Sequence, residues 1–367
     1  MELIPLTDEQ KKKRKKKIII ICSIVGVILI TAGLVAYWRY CGFGKKNNNT
    51  NTNPSVSISQ TPVIKKVASK LDGIEYLEDV ANRHPLGIMV ENHLEARPQI
   101  GLDKAKIVYE VITEGGITRF LAIFGPEGAA KVGPVRSART YYLDWCLEYD
   151  CFYSHVGGNL DALQLIPRIG IKDLDQFRYG TEAYWREPQK NIATEHTMFT
   201  DTSKLWTIAQ NNSWPTTSDF TSLLFKDDAL KDMRPETQTA EIDFSSANFK
   251  VKWTYDKENN NYKREMGGVA HKDRETGLQL TAKNIVIEEV TRWQVTTDIN
   301  ESGFAMKTVG EGKAKVLMDG KSTDATWKKA DRNSRTRFYD SAGTEIKFDK
   351  GNTWMEIVPP EINVLIQ

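Results

Sequence analysis

The chain has 367 residues, of which 40% are hydrophobic, and its 50 Lys and Arg against 48 Asp and Glu give a formal net charge of +2. Residues 1–46 hold ten of the basic and three of the acidic residues, so residues 47–367 carry 40 basic and 45 acidic ones, a net charge of −5. Proteins that bind nucleic acid carry clustered basic residues. We therefore exclude nucleic acid as the main partner.

The N-terminal residues have the pattern of a membrane anchor. Residues 11–17 read KKKRKKK, and residues 18–38 are uncharged and mainly apolar. At about 1.5 Å per residue, a helix of this length spans roughly 30 Å, the thickness of the hydrocarbon core of a bilayer. Basic residues beside a first span stay in the cytoplasm. We predict a cytoplasmic tail at 1–17, one transmembrane helix at 18–38 and an extracytoplasmic location for the rest.

Two alternatives to an uncleaved anchor remain open. A cleaved signal peptide usually has a shorter apolar run and an A-x-A-like site, which this sequence lacks. Lipidation of Cys41 is the second alternative, although the bulky and charged residues 38–40 differ from the small residues of a lipobox. Residues 39–70 contain the polar run NNNTNTNPSVSISQTP, whose composition predicts a flexible tether.

The remaining residues are numerous enough for two domains with different secondary structure. Residues 71–235 mix strand-like and helical runs, found at 87–91, 107–111, 119–124, 138–149 and 160–166. Residues 236–360 are dominated by strand signals, found at 249–255, 284–290, 313–318, 335–339 and 353–358. We predict an α+β protein, with a mixed α/β N-terminal domain, a mainly β C-terminal domain and one preceding transmembrane helix.

Cys146 and Cys151 are the two cysteines of the predicted extracytoplasmic part. On one continuous helix their Cα atoms would be farther apart than the limit of about 7 Å for a disulfide, so a bridge requires the helix to end between them. Small buried cysteines without a bridge are common. We favour an unbridged pair and keep the disulfide as the alternative.

Glycine-rich motifs with charged side chains predict a ligand-binding site. EGGITRF, GPVRSAR and SHVGGN follow one another between residues 114 and 159, and a hydrophobic core needs neither their glycines nor their charges. Two later segments, around residues 196 and 271, carry further histidines. The candidate ligand-binding residues are Glu114, Arg119, Arg136, Ser137, Arg139, His155, Asn159, His196, His271 and Asp273.

The two arginines of GPVRSAR suggest an anionic ligand. Gly133 and Pro134 are suited to the start of a helix, where exposed amides attract anions. Arg136 and Arg139 would then share one helical face and bind a carboxylate or phosphate together. Ion pairs of these arginines with Glu110, Glu114 or Asp144 inside the fold are an equally weighted alternative.

The sequence assigns no catalytic residue. Glu114 suits a general base or, more commonly, a counter-ion for Arg119, and His155 suits either a structural role or acid–base chemistry. Asp173 and Asp175 form a D-x-D motif that serves as a turn more often than as a cation site. Known nucleophile, phosphate, dinucleotide and zinc motifs are missing. We predict no metal site, and the cofactor and any catalysis remain open.

The order of the motifs resembles a known family. NRHPLGIMVEN, EGGITRFLAIF, VGPVRSART, HVGGN, HKDRETGLQLTAKNIVI and GNTWMEIVP, spread over residues 71–359, are similar to motifs of the YerB-like bacterial proteins of unknown function. The resemblance implies a two-domain envelope protein, commonly a lipoprotein, without an established reaction. Asn159 stands where the family's H-x-G-G motif leads us to expect a serine, which argues against a nucleophile there.

Two classes of function follow from these observations. The first is a binding module for an anionic envelope component, such as a cell-wall polymer, with Arg119, Arg136, Arg139 and His155 as its main contacts. The second is a membrane-anchored transferase or hydrolase that acts on such a polymer. An adaptor that binds another envelope protein is a third alternative. In each case the predicted membrane contact is the segment 18–38.

Overall fold

The computed structural model describes residues 65–296, 300 and 302–367. The predicted tail and anchor and most of the predicted tether, residues 1–64, lie outside the described residues. The chain divides into residues 1–62 and a second unit, Val63–Gln367, which is compact. Within the described part, no helix is both long enough and apolar enough to span a bilayer.

The helices of the described part are short, and most of them lie in its N-terminal half. The α-helices are α1 (Glu78–Ala81), α2 (Thr140–Leu147), α3 (Leu160–Ile169), α4 (Gln176–Tyr179) and α5 (Thr202–Asn211). In helix α3 the sequence explains where the helix begins and ends. Asn159 accepts a hydrogen bond from the backbone N–H of Ala162, which caps the first turn, and Gly170 ends the helix with a positive φ of 69°.

Strands make up most of the remaining structure. The first ten are β1 (Lys66–Ala68), β2 (Glu75–Leu77), β3 (Leu86–Glu91), β4 (Ile107–Ile112), β5 (Thr118–Phe124), β6 (Phe152–His155), β7 (Asp173–Asp175), β8 (Tyr184–Arg186), β9 (Met198–Thr200) and β10 (Phe225–Lys226). The others are β11 (Thr239–Asp243), β12 (Lys250–Asp256), β13 (Asn261–Met266), β14 (Val269–Ala270), β15 (Thr281–Ala282), β16 (Asn284–Glu289), β17 (Arg292–Thr296), β18 (Ser302–Met306), β19 (Gly310–Met318), β20 (Lys321–Lys329), β21 (Arg337–Tyr339), β22 (Phe348–Asp349), β23 (Thr353–Val358) and β24 (Val364–Ile366). The mixed helix and strand content confirms the predicted α+β class.

One ten-stranded sheet joins the two predicted sequence regions. Its strand order is β21-β20-β19-β16-β23-β4-β5-β3-β6-β7. Strand β23, near the C-terminus, lies between β16 and β4 and pairs with both in parallel. A second sheet has the order β14-β13-β12-β11-β24, with β15 paired to β13. The backbone of residues 71–235 is therefore hydrogen-bonded to that of residues 236–360 at the centre of the fold.

The ten-stranded sheet is buried on both faces. Alternate residues of a strand point to opposite faces, and in β5 this places Phe120 in one hydrophobic cluster and Leu121 in the other. The first cluster includes Trp253 of the second sheet, and the second includes Trp145 of helix α2. Double-sided burial explains why β3, β4 and β5 have nearly continuous apolar sequences instead of an alternating pattern.

The disulfide that we did not favour is present in the structure. Cys146 and Cys151 are bridged, and their Cα atoms are 5.4 Å apart. Helix α2 ends at Leu147, between the two cysteines, and Asp150 turns the chain with a positive φ of 50°. The expectation of an unbridged pair is wrong because the helix is shorter than its sequence pattern indicated.

The helix predicted to begin at Gly133 and Pro134 is also wrong. Helix α2 begins only at Thr140, and the preceding residues are extended. The backbone N–H of Val135 donates to the carbonyl of Met198, and that of Arg136 donates to the carbonyl of Met89. Pairing with neighbouring strands uses the donors that a helix start would leave free. Arg136 and Arg139 therefore do not share a helical face.

Candidate functional site

The candidate site lies where several strands of the large sheet end. Strands β3 and β6 are parallel, and β5 runs antiparallel to β3, so the carboxyl ends of β3 and β6 lie beside the start of β5. Glu91 at the end of β3 is directly opposite Arg119 in the register. Directly paired residues share a face of the sheet, and this face is the one covered by helix α2. We call this region the strand-end site.

Arg119 is a buried cation at the centre of the strand-end site. Arg119 is only 6% exposed, and its Nη1 donates to the carbonyl of Ser137 at 2.9 Å. Its Nε has no hydrogen-bond partner, and no carboxylate forms an ion pair with it, among the residues that the structure describes. Burial and the neighbouring charge of Arg139 lower the pKa of Arg119.

Two tyrosine hydroxyls near Arg119 also lack partners within the described ranges. They are the Oη atoms of Tyr141, in the first turn of α2, and Tyr153, in β6. The charges of Arg119 and Arg139 act on both hydroxyls. Burial raises the pKa of each tyrosine, so both remain protonated donors at neutral pH. By contrast, Tyr142 donates to the carbonyl of Arg119 at 2.7 Å.

Glu114 neutralises Arg139 and leaves Arg119 unpaired. Arg139 binds Glu114 through two hydrogen bonds, from Nε to Oε1 at 2.7 Å and from Nη2 to Oε2 at 2.8 Å. Although burial raises the pKa of Glu114, the hydrogen bond and charge of Arg139 outweigh it and lower the pKa overall. A carboxylate that is bound in this way is a weak base, which disfavours the general-base interpretation. Glu114 is therefore a counter-ion of Arg139, as one of the internal-pairing alternatives has it, and does not form an ion pair with Arg119.

His155 and Asp175 hold the loop that borders the site. His155 is fully buried, with Nδ1 2.7 Å from the carbonyl oxygen of Gly157 and Nε2 2.8 Å from Oδ1 of Asp173. Asp175 accepts a hydrogen bond from the backbone N–H of Gly157 at 3.2 Å. The D-x-D motif therefore fixes the 156–158 loop, and both ring nitrogens of His155 are engaged. This supports the structural role for His155.

A hairpin from the C-terminal region crosses the strand-end site. Strands β17 and β18 pair with each other, and Gly303 of β18 lies over the 114–116 turn. A Cβ atom built on Gly303 would be 3.5 Å from Oε1 of Glu114 and 3.9 Å from Nδ2 of Asn159. A side chain at position 303 would therefore contact both residues, and both sequence regions contribute to this part of the molecule.

Arg136 and His196 belong to a neighbouring cluster on the other side of Glu91. Nε of Arg136 lies 2.5 Å from Oε2 of Glu91, and Nη2 lies 3.3 Å from Oε1 of Glu195. Nδ1 of His196 lies 3.2 Å from the same Glu91 oxygen. The internal-pairing alternative therefore applies to both arginines of GPVRSAR, which form ion pairs in separate clusters.

His271 and Asp273 lie on the opposite face of the large sheet. Nδ1 of His271 accepts a hydrogen bond from Nε of Arg264 at 3.1 Å, and Nε2 lies 2.7 Å from Oε1 of Gln99. Burial and the charge of Arg264 lower the pKa of His271 well below its usual value. Asp273 accepts from the backbone N–H of Gly101 at 2.6 Å. These residues support the interface between the sheets and lie apart from the strand-end site.

The structure thus brings together six of the ten candidates, which are Glu114, Arg119, Ser137, Arg139, His155 and Asn159. Tyr141 and Tyr153 are not among the residues predicted from the sequence. Only their spacing could have indicated them, since Tyr153 is two residues before His155 and therefore shares its face of β6. His93 and Glu95, whose H-x-E spacing follows the end of β3, are not among the predicted residues either.

Comparison with known proteins identifies the family. A protein-family model, described as the N-terminal domain of a protein of unknown function (DUF3048), matches residues 71–215. The family model for the C-terminal domain of DUF3048 matches residues 240–355. The protein YerB of Bacillus subtilis (strain 168), which carries a provisional lipoprotein name, is 30% identical over 299 residues, covering 80% of this chain and 87% of YerB. This chain belongs to the DUF3048 family.

The fold is also similar to that of a solved DUF3048 structure. The crystal structure of YerB from Bacillus subtilis matches with a TM-score of 0.71 and 28% sequence identity. The match covers 82% of this chain and 100% of the YerB chain in that structure. The resemblance to the YerB-like proteins is confirmed.

Proposed function

We propose that this chain is a membrane-anchored, extracytoplasmic protein that binds an anionic component of the cell envelope at the strand-end site. The lipoprotein name of YerB supports an envelope location, and so does the basic and apolar pattern of residues 1–38. The anchor is a single span at 18–38 or a lipid, and the ligand presents a carboxylate or phosphate group.

The buried and unpaired charge of Arg119 carries this proposal. A buried charge without a partner costs several kcal/mol, so buried arginines are normally paired with carboxylates. In this structure Glu91 and Glu114 are engaged by Arg136 and Arg139. The charges of Glu91 and Glu114 act on Arg119, but neither carboxylate forms an ion pair with it in the described part of the chain. An anionic group of a ligand would supply that direct ion pair.

The unpaired tyrosine hydroxyls support the same kind of ligand. Nε of Arg119 and the Oη atoms of Tyr141 and Tyr153 are buried donors without partners in the described residues, and the charge of Arg119 acts on both hydroxyls. Carboxylate and phosphate oxygens accept several such hydrogen bonds at once. The arrangement favours binding over turnover, because Glu114 is held by Arg139 and both nitrogens of His155 are engaged.

Calorimetric titration of residues 63–367 against purified envelope fractions tests this proposal, with soluble poly(glycerol phosphate) and peptidoglycan fragments as defined probes. We expect saturable binding to at least one probe. Arg119→Gln should weaken it at least about tenfold, the usual scale for losing a charge-assisted hydrogen bond. Because the variant removes an unpaired buried charge, its melting temperature should not fall.

Arg186→Gln is the matched control, since Arg186 is exposed and its side chain donates to the carbonyl of Thr194, which is not part of the strand-end site. It should bind as the unmodified protein does. Equal binding by Arg119→Gln and the unmodified protein would refute the assignment of the site. Absence of binding to every fraction would refute the function and favour an adaptor role instead.

A further inference from the structure

We propose that His93, Glu95 and His196 form a second site, which binds a divalent transition metal ion such as Zn²⁺. The site lies beside the strand-end site but does not depend on its proposed ligand. One ligand atom from each of the three residues lies within 4.8 Å of the other two. Nε2 of His196 and Oε2 of Glu95 are 3.8 Å apart.

These distances are close to those of a zinc site. Zinc bonds of about 2.0–2.2 Å in a tetrahedron separate the ligand atoms by roughly 3.4 Å. Closing the site therefore requires the ligand atoms to move by about 1 Å and one imidazole ring to rotate. Two imidazoles and one carboxylate are the ligand set of catalytic zinc sites that keep a fourth position open for water or a ligand. Mg²⁺ and Ca²⁺ prefer oxygen ligands, so the two histidines favour a transition metal.

A buried carboxylate already orients one of the histidines. Oε2 of Glu91 lies 3.2 Å from Nδ1 of His196, and Glu91 is only 2% exposed. Metal-binding histidines usually donate their other N–H to such a carboxylate, which directs the free nitrogen towards the ion. Arg136 fixes Glu91 with an ion pair of 2.5 Å. The outer hydrogen bonds of a metal site are therefore present beside His196.

The three residues come from two segments that the fold brings together. His93 and Glu95 follow the end of β3, and His196 ends a short turn before β9. The rings of His93 and His196 are stacked, with centroids 4.5 Å apart and an interplanar angle of 2°. Because an ion lies in the plane of each imidazole that binds it, binding must tilt the His93 ring. The hydrogen bond that Nδ1 of His93 accepts from the backbone N–H of Glu95 opposes this tilt.

Calorimetric titration of the full chain in detergent, after removal of metals with a chelator, tests the site with Zn²⁺ alone. We expect one saturable site and a higher melting temperature with the ion. Co²⁺ should give the visible absorption of a four-coordinate site. Glu91→Gln should weaken binding by about 10- to 100-fold, the usual effect of losing an outer hydrogen bond.

Glu95→Gln is the decisive variant, because the Glu95 side chain is 43% exposed and its loss should leave the fold intact. It should abolish both the Zn²⁺ site and the Co²⁺ absorption. The exposed Glu182→Gln is the matched control and should bind normally. The proposal is overturned if Glu95→Gln and His93→Asn bind Zn²⁺ as the unmodified protein does, or if the unmodified protein has no single site. Arg119→Gln should retain the metal, which separates this test from that of the strand-end site.

Discussion

At the scale of single residues, Glu288 is a buried carboxyl group whose charge is strongly disfavoured. Glu288 is 1% exposed, and its Oε2 has no hydrogen-bond partner within the described residues. Burial and the nearby charge of Glu148 raise the pKa of Glu288 to about 8. In the unfolded chain the same group ionises near pH 4.3. The folded protein therefore keeps a proton that the unfolded chain releases between these two values.

This difference predicts a pH dependence of stability. A raised pKa stabilises the fold at low pH, and the contribution is lost as the pH rises from about 4.3 to about 8, by at most about 1.4 kcal/mol per pH unit. Glu288→Gln should make the fall in the free energy of unfolding shallower over this range.

Urea denaturation at pH 5, 6, 7 and 8 measures this slope. Glu311→Gln is the control, since Glu311 is exposed and its contact with Lys328 is a surface ion pair of 3.4 Å. Such pairs contribute little to stability, so the control should follow the unmodified protein. An unchanged slope in Glu288→Gln would show that Glu288 is ionised in the folded protein.

At the scale of elements, the disulfide links the end of helix α2 to the start of β6. The chain-entropy model gives a loop of this size a stabilisation of about 2 kcal/mol. Replacing both cysteines with alanine should lower the free energy of unfolding by about this amount, measured by urea denaturation without reductant. Adding a reductant should destabilise the unmodified protein but leave the double variant unchanged. A double variant as stable as the unmodified protein would contradict a structural role for the bridge.

The elements themselves were largely predictable from the sequence. The predicted strands at 107–111 and 353–358 correspond to β4 (Ile107–Ile112) and β23 (Thr353–Val358), because apolar β-branched runs fit a doubly buried sheet. The start of α2 was not predictable, since residues 133–139 have helix-compatible neighbours but are held extended by Met89 and Met198. Such partners are distant in sequence and leave no local pattern.

At the scale of the whole molecule, the two DUF3048 regions share buried charges as well as a sheet. Arg264, from the C-terminal region, binds Glu356 through Nη1 at 2.6 Å and also forms an ion pair with Glu110 of the N-terminal region. All three side chains are fully buried. Separating the regions would leave Glu110 without this partner and the edge of β4 without β23.

We therefore expect the fragment 63–235 not to fold when it is expressed alone. Removing one partner of a buried ion pair typically costs about 3–5 kcal/mol, a large part of the stability of a domain. Solubility and circular dichroism of fragments 63–235 and 236–367, expressed separately and together, would measure this. Co-expression should recover a folded complex. A soluble fragment 63–235 with a cooperative melting transition would show that the regions are independent domains.

The candidate site was only partly predictable for a related reason. The glycine-rich motifs located Glu114, Arg119 and Arg139 correctly in one region, because strand ends and tight turns have clear sequence signals. The pairing of charges depended on the register of β3 against β5, which sets Glu91 opposite Arg119. The sequence shows which charges are present, whereas the fold decides which of them remain unpaired.

The position of β23 also determines when, during synthesis, the large sheet can be completed. This strand is synthesised after every other strand of the large sheet, yet it occupies the middle of that sheet between β4 and β16. Until it arrives, both neighbours present open strand edges, and such edges readily pair with other chains. The nascent protein is consequently prone to aggregation until residues 353–358 have been synthesised.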